Sequence, residues 1–202
     1  MPSNATETPI VARRLDTPSA EVLADLAEVF EELQTVLRCC ERLVAELAEE
    51  APDDVLVEGL WTMALLGYAR CFSPRGSGVA LGADDLDAAL PGHDAGSWHA
   101  ILLQLRDHHA DPARSPRERF TVAVTRSAQG TANGVAVTSA RQPRVDDLTV
   151  RQTGALAYAL IGLVDQRIES QQQQVSEEVG RLSAAELDGL ESIDVASDDA
   201  GS

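Results

Sequence analysis

The stretch that decides the fold is residues 22–47, VLADLAEVFEELQTVLRCCERLVAEL. One set of apolar residues recurs at alternating steps of three and four, and a second set recurs beside it every seven residues. The first set is Leu23, Leu26, Phe30, Leu33, Leu37, Cys40, Val44 and Leu47, and the second is Val22, Val29, Val36 and Leu43. Such a stripe is wider than a two-stranded seam needs. It therefore predicts a helix that faces two neighbours in a bundle.

The limits of this helix can be predicted from its flanks. Thr17 is a residue type that caps helix N-termini, and Pro18 suits the first helical position. The apolar pattern stops near Ala51-Pro52, where proline ends a helix.

A second helix is expected to start at Asp53-Asp54 and to run through about Phe72. Its few polar residues, Glu58, Thr62 and Arg70, do not leave it a clearly polar face. A helix that is apolar nearly all round is usually buried, so we expect this one at the centre of the domain.

The rest of the chain gives three more helix signals and one hairpin signal. A short helix is predicted over 84–90, and a longer one capped by Ser97, with Trp98, Ile101, Leu102 and Leu105 on its buried face. The alternating residues of 119–139 predict a β-hairpin with a glycine-containing loop. A last long helix is expected after Asp146, with a polar overhang at 171–174, and Gly154 and Gly162 in it are candidates for close helix approach.

These elements predict an all-α fold: a four- to five-helix bundle with one inserted β-hairpin. The bundle domain is expected over 17–190. A disordered leader is expected over 1–16 and an acidic disordered tail over 191–202, because neither segment has apolar periodicity.

The charge of the chain limits its partners. All 16 basic residues are arginine, and 33 acids bring the net charge to −17. Residues 106–151 nevertheless hold eight arginines against five acids. Nucleic acid is therefore a possible partner only through the 106–151 region. No apolar run is long enough for a membrane span or a signal peptide, so we expect a cytoplasmic protein that does not interact with a membrane.

The sequence carries no metal or cofactor motif. The cysteines are Cys39, Cys40 and Cys71, and the adjacent pair diverges on a helix, so buried free thiols are expected. His108 and His109 are also adjacent and are expected on different sides of their helix, which does not suit a shared metal ion. We predict no metal site and no cofactor.

The segment at 105–112, LRDHHADP, is the best candidate for chemistry. Arg106 could polarise a phosphodiester while His109 moves a proton, as metal-independent RNA cleavage requires. The structural alternative is that Arg106 pairs with Asp107 and that the histidines only end a helix. The candidate catalytic residues are Arg106 and His109, and the candidate binding residues are Arg70, Arg75, Arg106 and His108.

The layout over about 20–182 resembles a HEPN-type bundle, the nucleotide-binding fold of many prokaryotic toxins. The resemblance rests on a long amphipathic helix, a helix containing WTMALLGYARCF, a helix ending in LRDHHADP, and a final long helix. It is similar in particular to uncharacterised actinobacterial proteins in which a helix ends in Arg-Asp-x-His and a hairpin follows.

In HEPN-type nucleases a histidine follows an arginine after four to six residues. Counted from Arg106, those positions hold Asp111, Pro112 and Ala113. The resemblance therefore implies a non-catalytic binding or dimerising module more than an enzyme.

Three functions follow as hypotheses. The leading one is a non-enzymatic interaction module, either a homo-oligomer or a protein-binding module of a defence or regulatory system. Its first and last long helices are expected to form a dimer interface. The second is a HEPN-type metal-independent ribonuclease. The third is an acidic antitoxin or decoy that occupies a basic partner.

Overall fold

The computed structural model describes residues 12–113 and 115–193. This part of the chain is mostly helical, with six helices and two small antiparallel sheets. In chain order the elements are β1 (Ala12–Arg13), α1 (Pro18–Leu47), α2 (Asp54–Cys71), α3 (Ala83–Ala89), α4 (Ala95–Ala110), β2 (Glu118–Arg126), β3 (Ala132–Arg141), α5 (Asp147–Val179), α6 (Ala184–Asp188) and β4 (Ser192–Ile193). A mostly helical fold with an inserted hairpin agrees with the prediction.

Side-chain caps begin the long helices. Thr17 accepts a hydrogen bond from the Ala20 amide at 3.3 Å, and Pro18 occupies the first position of α1, as predicted. Asp53 caps α2 and Asp146 caps α5 in the same way. These acceptors satisfy amides that have no partner within the helix.

The predicted start of α4 is wrong by three residues. Ser97 is not the cap; its amide donates to Asp94 Oδ1 at 3.0 Å, so α4 begins at Ala95. The predicted buried face is also only partly correct. Leu102 is fully buried, whereas Ile101 is exposed.

The centre of the bundle is α1, not α2 as predicted. One side of α1 packs along α5 and another packs along α2, which buries its wide stripe: Leu26, Val29, Leu33, Val36, Cys39, Cys40 and Leu43. The apolar surface of α2 exceeds what α1 and α4 cover, so Val55, Met63 and Leu66 remain exposed.

The pairing of α1 with α5 corrects the predicted dimer interface. The two helices run antiparallel, since the side-chain Nε2 of Gln171 donates to the Ser19 carbonyl at 2.9 Å and the Ser19 hydroxyl donates to Glu178. The end of α5 thus lies on the start of α1 and is not an overhang. The stripe of α1 is used within the chain and cannot also bind a second copy.

The strands β2 and β3 pair with each other, and both faces of this hairpin are exposed to solvent. Its strands pair with Val122 opposite Val137 and Val124 opposite Val135, and Gly130 in the connecting loop has φ +82°. Nearly every residue of the two strands is exposed. The hairpin therefore projects from the helices.

A second, two-residue ladder joins β1 to β4, with Ala12 opposite Ile193 and Arg13 opposite Ser192. The sequence predicted disorder at these positions, because two residues are too few to show a period. The remaining parts of the predicted leader and tail at 1–11 and 194–202 lie outside the described residues. Among the helices that are described, none is long and apolar enough to cross a membrane.

Candidate functional site

A cavity of about 550 Å³ lies where α2 begins, α4 ends and the hairpin leaves the bundle. Its apolar lining comes from Val57 and Trp61 of α2, Leu105 of α4 and Val145 before α5. Val57 and Trp61 belong to the buried core. The cavity is thus an apolar recess within the size range of small-molecule sites, with a charged wall on one side.

Arginines at the base of the hairpin form that charged wall, and all three are bound to carboxylates of α2. Arg117 Nε lies 2.9 and 2.6 Å from the two oxygens of Glu58. Arg141 Nη1 lies 3.0 Å from Asp54 Oδ2, and Arg144 binds the other Asp54 oxygen. Hydrogen bonding to Glu58 raises the pKa of Arg117. Because these cations are already paired, the wall does not act as an open anion site.

Both adjacent histidines line this cavity, although the sequence placed them on different sides of α4. Their rings meet edge to face, with centroids 5.9 Å apart. His109 Nδ1 lies 3.4 Å from the Thr62 hydroxyl. Burial, and then the neighbouring His108, lower the pKa of His109, while Glu58 opposes this shift. This environment therefore favours the neutral imidazole of His109 over its protonated form.

Arg106 takes no part in the lining described for this cavity. Its Nε lies 2.7 Å from Asp107 Oδ1 on the same helix. The two candidate catalytic residues, Arg106 and His109, are thus not brought together in the cleft where the histidine lies. This arrangement matches the structural alternative, in which Arg106 pairs with its neighbour.

The other candidate binding residues are dispersed. Arg70 Nη1 lies 3.3 Å from Glu32 of α1, and Arg75 Nε lies 3.1 Å from Glu28 of α1. His108 lines the cavity at the hairpin base, and neither Arg70 nor Arg75 belongs to that lining. Arg70, Arg75, Arg106 and His108 therefore do not form one site.

A second depression, of about 540 Å³, follows the exposed side of α2. We call it the α2 groove and define it by Val55, Gly59, Met63 and Leu66, with Glu32 and Thr35 of α1 on its border. Val55 is 80% exposed and Met63 55%. The sequence did not predict this groove, because α2 is apolar nearly all round and was expected to be buried on every side.

The hairpin carries a second uncovered apolar surface. We call it the hairpin face and define it by five side chains that the strand register places on one side: Phe120, Val122, Val124, Val135 and Val137. Each is between 64% and 72% exposed. Single exposed apolar residues are ordinary, but a contiguous set of this kind usually marks an interaction surface.

Within the described ranges, no group of His, Cys, Asp or Glu side chains could hold a metal ion. Comparison with protein-family models, with curated proteins and with solved structures gives no match to this chain. The function must therefore be argued from these surfaces.

Proposed function

We propose that this chain is a non-enzymatic interaction module that acts as a homodimer. The observation that carries the proposal is the hairpin face, a continuous apolar surface that no other element of residues 12–113 and 115–193 covers. Strands with alternating apolar residues normally place that side against a core. A hairpin that lacks such a core is marginal in water, so a protein partner that covers it would stabilise it.

The arrangement of the charged residues favours this reading over the ribonuclease. Cleavage of a phosphodiester needs a cation free to hold the phosphate beside a proton-transfer group. Arg106 lies within ion-pair distance of Asp107, although its buried Nε makes no hydrogen bond, and it is not among the residues that line the cavity with His109. The arginines that do line this cavity are paired with Glu58 and Asp54. A module without catalysis also agrees with the HEPN-like resemblance, which implies binding or dimerisation where the nuclease motif is absent.

The acidic decoy hypothesis has less support. A net charge of −17 would attract many basic partners. It gives no reason for the apolar surface on the hairpin, whose strands carry three arginines and only one acid, Glu118. The homodimer therefore accounts for more of the molecule.

The test is the mass of the purified full chain by light scattering during gel filtration at micromolar concentrations. The expected mass is twice the chain mass of 21.5 kDa. A particle that stays monomeric across this range would overturn the proposal. In a parallel assay, RNA cleavage by the wild type that disappears in Arg106→Ala would replace it with the nuclease.

A further inference from the structure

We propose that the hairpin face of one copy covers the α2 groove of a second copy, and that the second copy returns the same contact. Each protomer would thus give one hairpin and receive one. This inference rests on the proposed homodimer and names the two surfaces that form it.

The hairpin face and the α2 groove are both apolar, so they complement each other. The hairpin face is an apolar ridge, built mainly from valines that stand opposite each other in the ladder. The α2 groove is an apolar depression, with Val55 and Met63 largely exposed along it. A ridge that fills a groove excludes water from both, and burial of apolar surface is the main force in association.

The hairpin and the rest of the chain also differ in the sign of their charge. Residues 115–144, which contain the hairpin, hold five arginines and one acid, whereas the other 172 residues hold 11 arginines and 32 acids. At the α2 groove itself Glu32 and Glu58 are paired with Arg70 and Arg117, so the attraction comes from the acidic body as a whole. A basic hairpin is thus attracted to the acidic body of another copy. Nucleic acid would also attract arginines, but the large negative charge of the whole chain would repel it.

The area that one hairpin face can bury also favours a contact that is made twice. Strands of 9 and 10 residues make a ladder only about 30 Å long. One such narrow face falls short of the ~800 Å² per partner of a stable interface. A reciprocal exchange adds a groove to the buried surface of every protomer. It also closes the assembly at two copies, because a two-fold contact leaves no hairpin or groove open.

The experiment uses two variants of the full chain and their matched controls. The hairpin variant is V122E with V137E. Its control is T121E with T138E, which adds the same charge on the opposite face, at the neighbouring pair of the ladder. The groove variant is M63E, and its control is Y158E, at an exposed position on α5. All these positions are exposed, and circular dichroism checks that the helices remain.

We expect the hairpin variant and the groove variant to weaken dimerisation at least about a hundredfold, and both controls to dimerise like the wild type. A mixture of the two variants should associate more tightly than either variant alone, but less tightly than the wild type. In such a mixed dimer the intact hairpin of one chain meets the intact groove of the other, so one of the two contacts survives.

The other outcomes separate this inference from the homodimer itself. If M63E dimerises normally while V122E/V137E does not, the hairpins pack on each other and the exchange is wrong. If neither variant affects the dimer, another surface forms it and the inference fails, although the homodimer stands. A wild-type chain that is monomeric overturns both proposals.

Discussion

Arg117 Nε lies within hydrogen-bonding distance of both carboxylate oxygens of Glu58, at 2.9 and 2.6 Å. The pair joins the base of the hairpin to α2. Both residues line the cavity at the hairpin base and also the α2 groove, so their contact is the partition between the two. Together with the ion pairs of Arg141 and Arg144 to Asp54, it fastens the hairpin base to α2.

We expect Arg117→Gln to loosen the hairpin with little loss of global stability. Arg117 is largely exposed, and exposed ion pairs contribute little to global stability because solvent screens them. Hydrogen exchange should therefore accelerate at the amides of β2 and β3 but not at those of α1. The matched control is Arg151→Gln, which removes an exposed ion pair with Asp147 on α5. Equal exchange in the hairpin of both variants would contradict this role.

The two glycines in α5 should respond differently to alanine. A Cβ at Gly154 would lie 3.3 Å from the Cys40 Cβ, whereas a Cβ at Gly162 would meet nothing within 4 Å. Gly162→Ala should therefore raise the free energy of unfolding by about 0.8–1 kcal/mol through helix propensity alone.

At Gly154 the tighter contact opposes the same gain, since overpacking costs about 1–3 kcal/mol. Gly154→Ala should thus be less stable than Gly162→Ala, and Gly154→Val less stable than the wild type. Urea unfolding curves measure all three free energies. Equal effects of alanine at the two sites would show that α1 and α5 are not in close contact there.

The three cysteines should be unreactive in the folded protein. Cys39, Cys40 and Cys71 are buried and free, as the sequence predicted. Burial raises the pKa of Cys40 and of Cys71 to about 12, so almost none of either thiol is ionised near pH 8. A thiol reagent should label them slowly in buffer and rapidly in denaturant. Fast labelling without denaturant would mean that the bundle opens locally around α1.

His99 should make stability depend on pH. The Tyr68 hydroxyl lies 2.9 Å from His99 Nδ1, and the Phe72 ring lies 4.2 Å from the imidazole, centroid to centroid. Burial lowers the pKa of His99 below 6.5 and raises the pKa of Tyr68. The Tyr68 hydroxyl therefore stays protonated, and it can donate a hydrogen bond to Nδ1 of a neutral imidazole.

Because the unfolded chain protonates more readily, stability is full above about pH 6.5 and is lost as the pH falls through the folded pKa. His99→Gln removes this titration while keeping an acceptor for Tyr68. Its unfolding midpoint should change less between about pH 7 and about pH 5 than that of the wild type. His109, whose pKa is also lowered, would account for the pH dependence that remains. Identical profiles would contradict the assignment to His99.

Local signals predicted the elements well. Thr17, Asp53 and Asp146 mark helix starts because a cap is formed by residues next to each other in the chain. Ser97 misled because the true cap, Asp94, stands three residues earlier and uses the Ser97 amide as its donor.

The candidate site could not be predicted in the same way. Arg117 and Glu58 are 59 positions apart, and no local pattern links them. The sequence also places Met63 and Val137 on apolar faces of their helix and strand, but it does not show whether another element covers those faces. The two uncovered surfaces are therefore visible only after the helices have been packed.

The short ladder between Ala12 and Ile193 has a consequence for engineering the chain. Residues opposite each other in neighbouring strands lie only about 5 Å apart, so the polypeptide between them is nearly a closed ring. A short linker could join these two positions, and new ends could be cut at the loop around Gly130. Such a circular permutant would keep every helix-to-helix contact while it severs the hairpin at its tip.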